Sequence, residues 1–202
     1  MPLGYRLAKR AIDLLGATIG LLLLLPLLAG VALAIWLSDP RAPVFFSQAR
    51  CGAGGKLFKM VKFRTMVRNA DALKEELRAR STISWPDFSL DDDPRVTRIG
   101  RFLRKSSIDE LPQLINVLKG EMSLVGPRPT SFGAETYALW QTERLDYRPG
   151  LTGPWQVWGR NNMEFAERCR LEASFFREPA IHRELWLIVL TLASVLRRTG
   201  AA

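Results

Sequence analysis

The chain has 202 residues, a formal net charge of +9 and a pI near 10.1. That length supports one domain, or one domain with an appendage, around a real core, and the charge points to an anionic partner: a membrane surface, a nucleic acid or a phosphorylated small molecule. The single His182 excludes a mechanism or metal site built on several histidines, and Cys51 and Cys169, far apart and outside any CxxC pair, speak for a reducing compartment.

Residues 14–37 are 24 positions without a charge, enough to cross a bilayer, which takes ~20. The stretch is too long for a signal peptide and no small-residue cleavage site follows it. Pro26, near its middle, removes a backbone donor and favours a kink. Both flanks are basic: Arg6, Lys9 and Arg10 precede it, and Arg41, Arg50, Lys56, Lys59, Lys62 and Arg64 follow, against Asp39. A spanning helix would leave one basic flank on the wrong side of the membrane. A helix that bends, entering and leaving by the same face, meets both observations. The expectation is a re-entrant anchor with its basic flank over residues 1–40 and a cytoplasmic-face domain over residues 41–202.

Residues 44–46 and 57–63 are strand-like runs with Gly52, Gly54 and Gly55 between them, which predicts a hairpin. Alternation places Lys59, Val61 and Phe63 on one face, and Phe58, Met60, Lys62 and Arg64 on the other. The basic members read as a face toward solvent or lipid headgroups. Residues 70–80 predict an exposed helix of mixed charge with no assigned chemistry. Residues 81–94 predict a loop, marked by Trp85-Pro86 and by Asp91-Asp92-Asp93-Pro94, whose aspartates read as a solvated turn rather than a metal site. Residues 96–105 predict a basic helix carrying Arg98, Arg101, Arg104 and Lys105 after Arg95. A nucleic-acid-binding helix and a helix lying on anionic lipid share that pattern. No nucleic-acid reading module accompanies it, so nucleic acid is not expected as a partner.

The chemistry concentrates in residues 107–129. Ser107-Ile108-Asp109-Glu110 fits the S-x-x-E capping box, in which Glu110 merely caps a helix. Pro112 fits better a helix that starts at Asp109. In either register both carboxylates sit at a helix N-terminus, where the dipole stabilises them and any approaching phosphate. A carboxylate held ionised there can attack phosphorus and form an acyl-phosphate. A divalent metal on the pair would screen it from an anionic substrate. Gly126-Pro127-Arg128-Pro129 follows, and its guanidinium offers paired donors to phosphate.

Residues 149–161 are rich in glycine and proline and read as a shaped loop rather than a helix, placed to close over a nucleotide or sugar. Trp155 and Trp158 within it read as stacking platforms or as core and interfacial residues. A last helix, about residues 182–198, is apolar with Trp186 and a basic end, which suits a helix lying on the membrane or one packed in the core.

The motifs Lys9-Arg10-x-x-Asp13, Lys62-Phe63-Arg64-Thr65-Met66, Asp93-Pro94-Arg95-Val96-Thr97-Arg98-Ile99-Gly100, Asp109-Glu110-Leu111-Pro112-Gln113-Leu114, Asn116-Val117-Leu118-Lys119-Gly120, Met122 through Pro129, and Arg148-Pro149-Gly150-Leu151-Thr152-Gly153 occur in one order along the chain. In that order they resemble the bacterial sugar transferases, the monotopic polyprenyl-phosphate phosphoglycosyl transferases, over most of the sequence. The resemblance implies a mainly α, membrane-embedded monotopic domain with a small β-hairpin, a re-entrant helix and interfacial amphipathic helices. It implies transfer of a sugar 1-phosphate from a UDP-sugar to polyprenyl (undecaprenyl) phosphate with release of UMP, by a ping-pong route that uses Mg2+, at the cytoplasmic face of the bacterial inner membrane and among its lipids.

The same resemblance implies roles. Asp109 matches the nucleophile and Glu110 its partner in metal binding or proton transfer, so the pair holds the metal. Arg128, with Lys62, Arg64 and Arg104, matches basic positions for substrate phosphate, and Lys9 and Arg10 match the pair that meets lipid phosphate. Leu25-Pro26 stands where some relatives carry Ser-Pro, so the hydroxyl that would cap freed carbonyls at the bend is missing. The short N-terminus suggests the minimal catalytic form, and a homodimer is compatible with it. Trp155-Gln156-Val157 leans toward a hexose donor. A non-catalytic membrane adaptor would share the anchor and the basic surface but has no use for Asp109, Glu110 and Arg128 in this frame.

Overall fold

The structure is a computed structural model that describes residues 2–77, 90, 92–158 and 163–197. The expected loop at Trp85-Pro86, together with Arg78, Arg80, Asp91, Gly159-Arg160-Asn161 and Arg198, lies outside those residues. The first helix, α1 (Leu3–Ser38), has 36 residues and continues through Pro26. At 1.5 Å per residue it is ~54 Å long, against a bilayer core of ~30 Å. It is long and apolar enough to cross a membrane. Leu15, Leu22, Leu23, Leu25 and Leu33 are each more than half exposed, as a core helix would not allow. The opposite side is narrow. Gly16, Ala17 and Gly20 form a stripe of small residues, and a Cβ on Gly16 would come within 2.6 Å of the Leu124 side chain. This lets α1 lie closely on the rest of the protein.

The hairpin forms as expected. Strands β1 (Phe45–Cys51) and β2 (Leu57–Phe63) pair antiparallel, from Phe45 opposite Phe63 to Cys51 opposite Leu57. Gly54 and Gly55 make the turn at φ 63° and 73°, a region where glycine carries no Cβ penalty. Both faces of β2 are in use. Met60 packs with Ala17, Leu114, Val117 and Met122, whereas Phe63 packs with Ile35 and Leu103. Helix α2 (Ala70–Leu77) follows. Helix α3 (Arg98–Lys105) starts two residues later than expected, because the Thr97 hydroxyl caps it by accepting the Gly100 N–H at 2.9 Å.

A 3-10 segment, Ile108–Gln113, leads into helix α4 (Leu114–Lys119), which Gly120 ends at φ 79°. Asp109 and Glu110 thus lie in a 3-10 segment ahead of α4 rather than in the first turn of an α-helix, and two further features depart from the sequence reading. Strand β3 (Ser123–Val125) pairs in parallel with β4 (Gly150–Thr152), making a second small sheet. The 149–161 stretch is also more regular than a loop: after β4, helix α5 (Pro154–Trp158) begins at Pro154, whose preset φ suits a first helical position. Helices α6 (Phe165–Phe176) and α7 (Ile181–Arg197) close the chain, and Phe175, Phe176 and Leu187 pack on Val125. The fold is mostly helical with one antiparallel hairpin, as expected.

Asn116 joins these parts. It is fully buried. Its amide donates to the Lys59 carbonyl at 2.8 Å and to Glu121 at 2.6 Å, and its oxygen accepts the Val61 N–H at 3.1 Å. One side chain thus plays the next strand along the open edge of β2. Asn116→Ala leaves buried backbone groups unpaired, and we expect it to destabilise the protein by about 2–4 kcal/mol. Denaturant unfolding in detergent measures this. A loss under about 0.5 kcal/mol would show that water replaces the amide.

Candidate active site

The site begins at a sharp turn. Ser107 adopts φ 56°, in the left-handed region, and its side chain makes no cap. The capping-box reading of Glu110 therefore fails. The carboxylate points instead to two distant cations. Its Oε1 accepts from Lys62 Nζ at 2.6 Å and from Arg128 Nη2 at 2.6 Å, and Oε2 accepts from Arg128 Nη1 at 3.2 Å. Burial by itself would raise the Glu110 pKa, but Arg128 and Lys62 outweigh it and hold the group well below the usual carboxylate range. These two cations hold Glu110 as the anion.

Asp109 is the opposite case. It is 7% exposed, and among the described residues none donates a hydrogen bond to its carboxylate. Burial pushes its pKa up to about 6; Lys62, Arg104 and Arg128 pull it down, and Glu110 adds to the rise. Two adjacent carboxylates are thus set apart by environment, one always charged and one titrating near neutrality, a division of labour usual in acid–base and nucleophilic sites. Arg104 reaches the site from α3, with Nε donating to the Thr65 hydroxyl at 3.0 Å, and burial lowers its pKa.

The structure brings Lys62, Arg104, Asp109, Glu110 and Arg128 together. Lys62 is half-buried on Glu110 rather than on a solvated or headgroup-facing surface. The remaining basic positions of interest are held by backbone elsewhere. Arg64 Nη2 donates to the carbonyls of Ile35 and Asp39 at 3.1 and 3.2 Å, where α1 ends. Arg10 binds the Val117 and Leu118 carbonyls at 2.7 and 2.8 Å, and Lys9 donates to the Val125 carbonyl at 3.0 Å and pairs with Glu184. Any phosphate role for these three competes with those partners. In the acidic run, Asp92 is exposed beside Arg101, but Asp93 is buried in a forked pair with Arg95 at 2.6 Å, so it is not a solvated turn residue.

Three polar residues around Arg128 gave no signal in the sequence: Arg144, Glu172 and Arg168. Glu172 accepts the Arg128 N–H, Arg144 donates to its carbonyl, and Arg168 stacks at 4.7 Å on the Trp155 ring, which also lies 6.0 Å from the Arg128 guanidinium. Trp155 thus borders the site. Trp158 instead packs against Phe175 with half its surface exposed.

Among the described residues no three acidic, histidine or cysteine side chains converge. A divalent ion here would have the two carboxylates of Asp109 and Glu110 and would complete its shell with phosphate oxygens and water. That is the mode magnesium uses, so the donor set fits it. Asp109 brings a carboxylate with no donor on it, and Glu110 keeps spare lone pairs on Oε2.

The raised Asp109 pKa has a consequence for stability. A carboxyl that keeps its proton to higher pH when folded loses stability for the fold as pH rises from about 4 through about 6. At pH 8 the cost is roughly 2–3 kcal/mol. With a chelator present, Asp109→Asn should therefore melt above the parent at pH 8, and the gain should vanish toward pH 4. An equal gain at both pH values would show that ionisation is not its cause.

With this geometry in view, the comparisons with known proteins converge. Residues 4–198 match the family described as Bacterial sugar transferase. The chain is 44% identical over 98% of its length to the galactosyl transferase CpsE of Streptococcus agalactiae, and 40% identical over 97% to the undecaprenyl-phosphate galactose phosphotransferase of Salmonella typhimurium. It spans 44% and 42% of those two proteins, less than half of each. It is 38% identical over 99% of its length to the exopolysaccharide production protein ExoY of Rhizobium meliloti, of which it covers 90%. The chain belongs to the bacterial sugar transferase family.

Proposed function

We propose that the chain transfers a sugar 1-phosphate from a UDP-sugar to a polyprenyl phosphate and releases UMP, as the first membrane step in making a bacterial surface glycan. The observation that carries this reading is the buried Asp109 beside a Glu110 forked onto Lys62 and Arg128. The Asp109 carboxylate, mostly ionised at neutral pH, attacks the β-phosphorus. The bond from that phosphorus to the bridging oxygen breaks, and UMP leaves with the oxygen. The sugar 1-phosphate remains on Asp109 as an acyl-phosphate. A phosphate oxygen of the polyprenyl acceptor then attacks the same phosphorus and frees Asp109. Arg128, Lys62 and Arg104 hold the phosphate oxygens while charge shifts among them. Mg2+ on Asp109 and Glu110 would neutralise part of the diphosphate charge.

The Salmonella relative is named for undecaprenyl phosphate and galactose, which supports a polyprenyl acceptor and a hexose donor. A groove of about 600 Å³ also suits an isoprenoid tail, with Pro26, Leu27, Gly30 and Val31 of α1 on one side and Ile99, Phe102 and Leu103 of α3 on the other. Incubating the protein with UDP-sugar alone should leave a sugar-phosphate mass on the peptide containing Asp109 and release one UMP per chain. Asp109→Asn should do neither, and Glu110→Gln should be severely slowed. Full turnover by Asp109→Asn would end the covalent route.

The anchor reads as re-entrant at the cytoplasmic face. Support comes from the two ends of its apolar run, Asp13 and Ile35, about 33 Å apart along the helix. Asp13 is bound by Ser123 and Leu124, and the Ile35 carbonyl by Arg64, so one domain grips both ends. A domain on one face of a bilayer could not hold both ends of a spanning helix. Cysteines at residues 3 and 41, in a background without Cys51 and Cys169, should both be labelled only from the cytoplasm. Periplasmic labelling of residue 3 would establish a spanning helix.

A further inference from the structure

Arg128 lies between Pro127 and Pro129, so it owns the one N–H of that tripeptide. This N–H donates to Glu172 Oε1 at 3.0 Å, and the Arg128 carbonyl accepts from Arg144 Nη2 at 2.7 Å. The same Nη2 lies 3.2 Å from Glu172 Oε1 and 2.9 Å from Oε2. Glu172 comes from the middle of α6 and Arg144 from the 3-10 turn Leu139–Asp146. Their side chains are 0% and 5% exposed, and the rings of Phe165 and Tyr137 sit 5.2 and 5.9 Å from the Arg144 guanidinium carbon. The pair is therefore largely removed from water.

Such a pair is a poor device for stability alone. Desolvation offsets most of its attraction, and two apolar side chains would join α6 to the turn as well. An apolar pair would not accept the Arg128 N–H or donate to its carbonyl. Meanwhile the Arg128 side chain is forked on Glu110. The residue is thus held at its backbone from behind and at its guanidinium from in front.

We propose that Arg144 and Glu172 are positioning residues: together they clamp the Arg128 backbone so that its guanidinium is preset for the donor phosphate. This rests on the phosphate-binding reading of Arg128 given above. Phosphoryl transfer depends on placement, and small displacements of a positioning group cost large factors in rate.

The test is a cycle of full-length variants in detergent, read as kcat/KM for UMP release and as melting temperature. Arg144→Met with Glu172→Leu removes both charges together, which spares the cost of a lone buried ion, but it leaves the Arg128 N–H and carbonyl without these partners, so the variant is expected to fold and to melt moderately below the parent. Its kcat/KM should fall at least tenfold, mostly in kcat. In an Arg128→Ala background the same pair of changes should alter kcat/KM less than twofold, since no guanidinium is left to place. A folded double variant with parental kcat/KM, beside a slow Arg128→Ala, overturns the clamp and leaves the phosphate reading standing. A full tenfold further loss in the Arg128→Ala background also overturns it, because the pair would then act elsewhere. Parental turnover by Arg128→Ala overturns the phosphate reading itself, and the clamp with it. If the double variant does not fold, Glu172→Gln goes through the same cycle, with a severalfold fall expected only where Arg128 is present and the same outcomes overturning the clamp.

Discussion

The site depends on one carboxylate. Glu110 binds Lys62 from the hairpin and Arg128 from the Pro-Arg-Pro turn, two segments that share no local structure. Without it, two half-buried cations would face each other with no anion between them, an arrangement the fold would relieve by separating them. With it, they converge beside Asp109. Arg104 adds a third cation, so three positive groups meet two carboxylates. The surplus of positive groups suits an anionic ligand, and the uneven sharing of cations accounts for the split between the two acids. Glu110 takes the hydrogen bonds, and Asp109 is left with burial as its largest influence.

Helix α1 is tied into the same assembly. Asp13 Oδ1 accepts the Ser123 hydroxyl and the Leu124 N–H, both at 2.9 Å, and Lys9 takes the Val125 carbonyl. Together these side chains line one edge of β3 while β4 pairs along it, and β3 runs straight into Gly126-Pro127-Arg128. Tyr5 and Lys9 meet Glu184 on α7 in the same way. The polar beginning of α1 is therefore a fitted surface of the folded chain, and its outer side presents leucines. A close approach at Gly126, where a Cβ would lie 2.2 Å from the Arg148 carbonyl, keeps the two short strands in contact just before the Arg128 turn.

Much of this was legible in the sequence. The uncharged run at 14–37, the glycine-marked hairpin and the basic helix ending at Lys105 are local patterns, set by contacts a few residues apart and by turn chemistry. The aspartate–glutamate pair is a weak signal taken alone, and the ordered motifs around it are what singled out Asp109, Glu110 and Arg128. The three-residue strands β3 and β4 did not, since three residues are too few to show a period and their pairing joins distant segments.

The partner of each charge was decided only in the folded chain. Lys62 and Arg64 sit two residues apart in one motif, yet one reaches Glu110 and the other the last carbonyls of α1. Lys9 and Arg10 read as lipid-facing cations and are bound by backbone carbonyls. Arg144 and Glu172 carried no pattern at all and meet around Arg128. A charged side chain looks the same in sequence whether it faces phosphate, carboxylate or carbonyl. Local periodicity decides where a chain is helical or extended, but which charges are neutralised is a long-range matter, settled when packing removes water and each buried ion must find a partner.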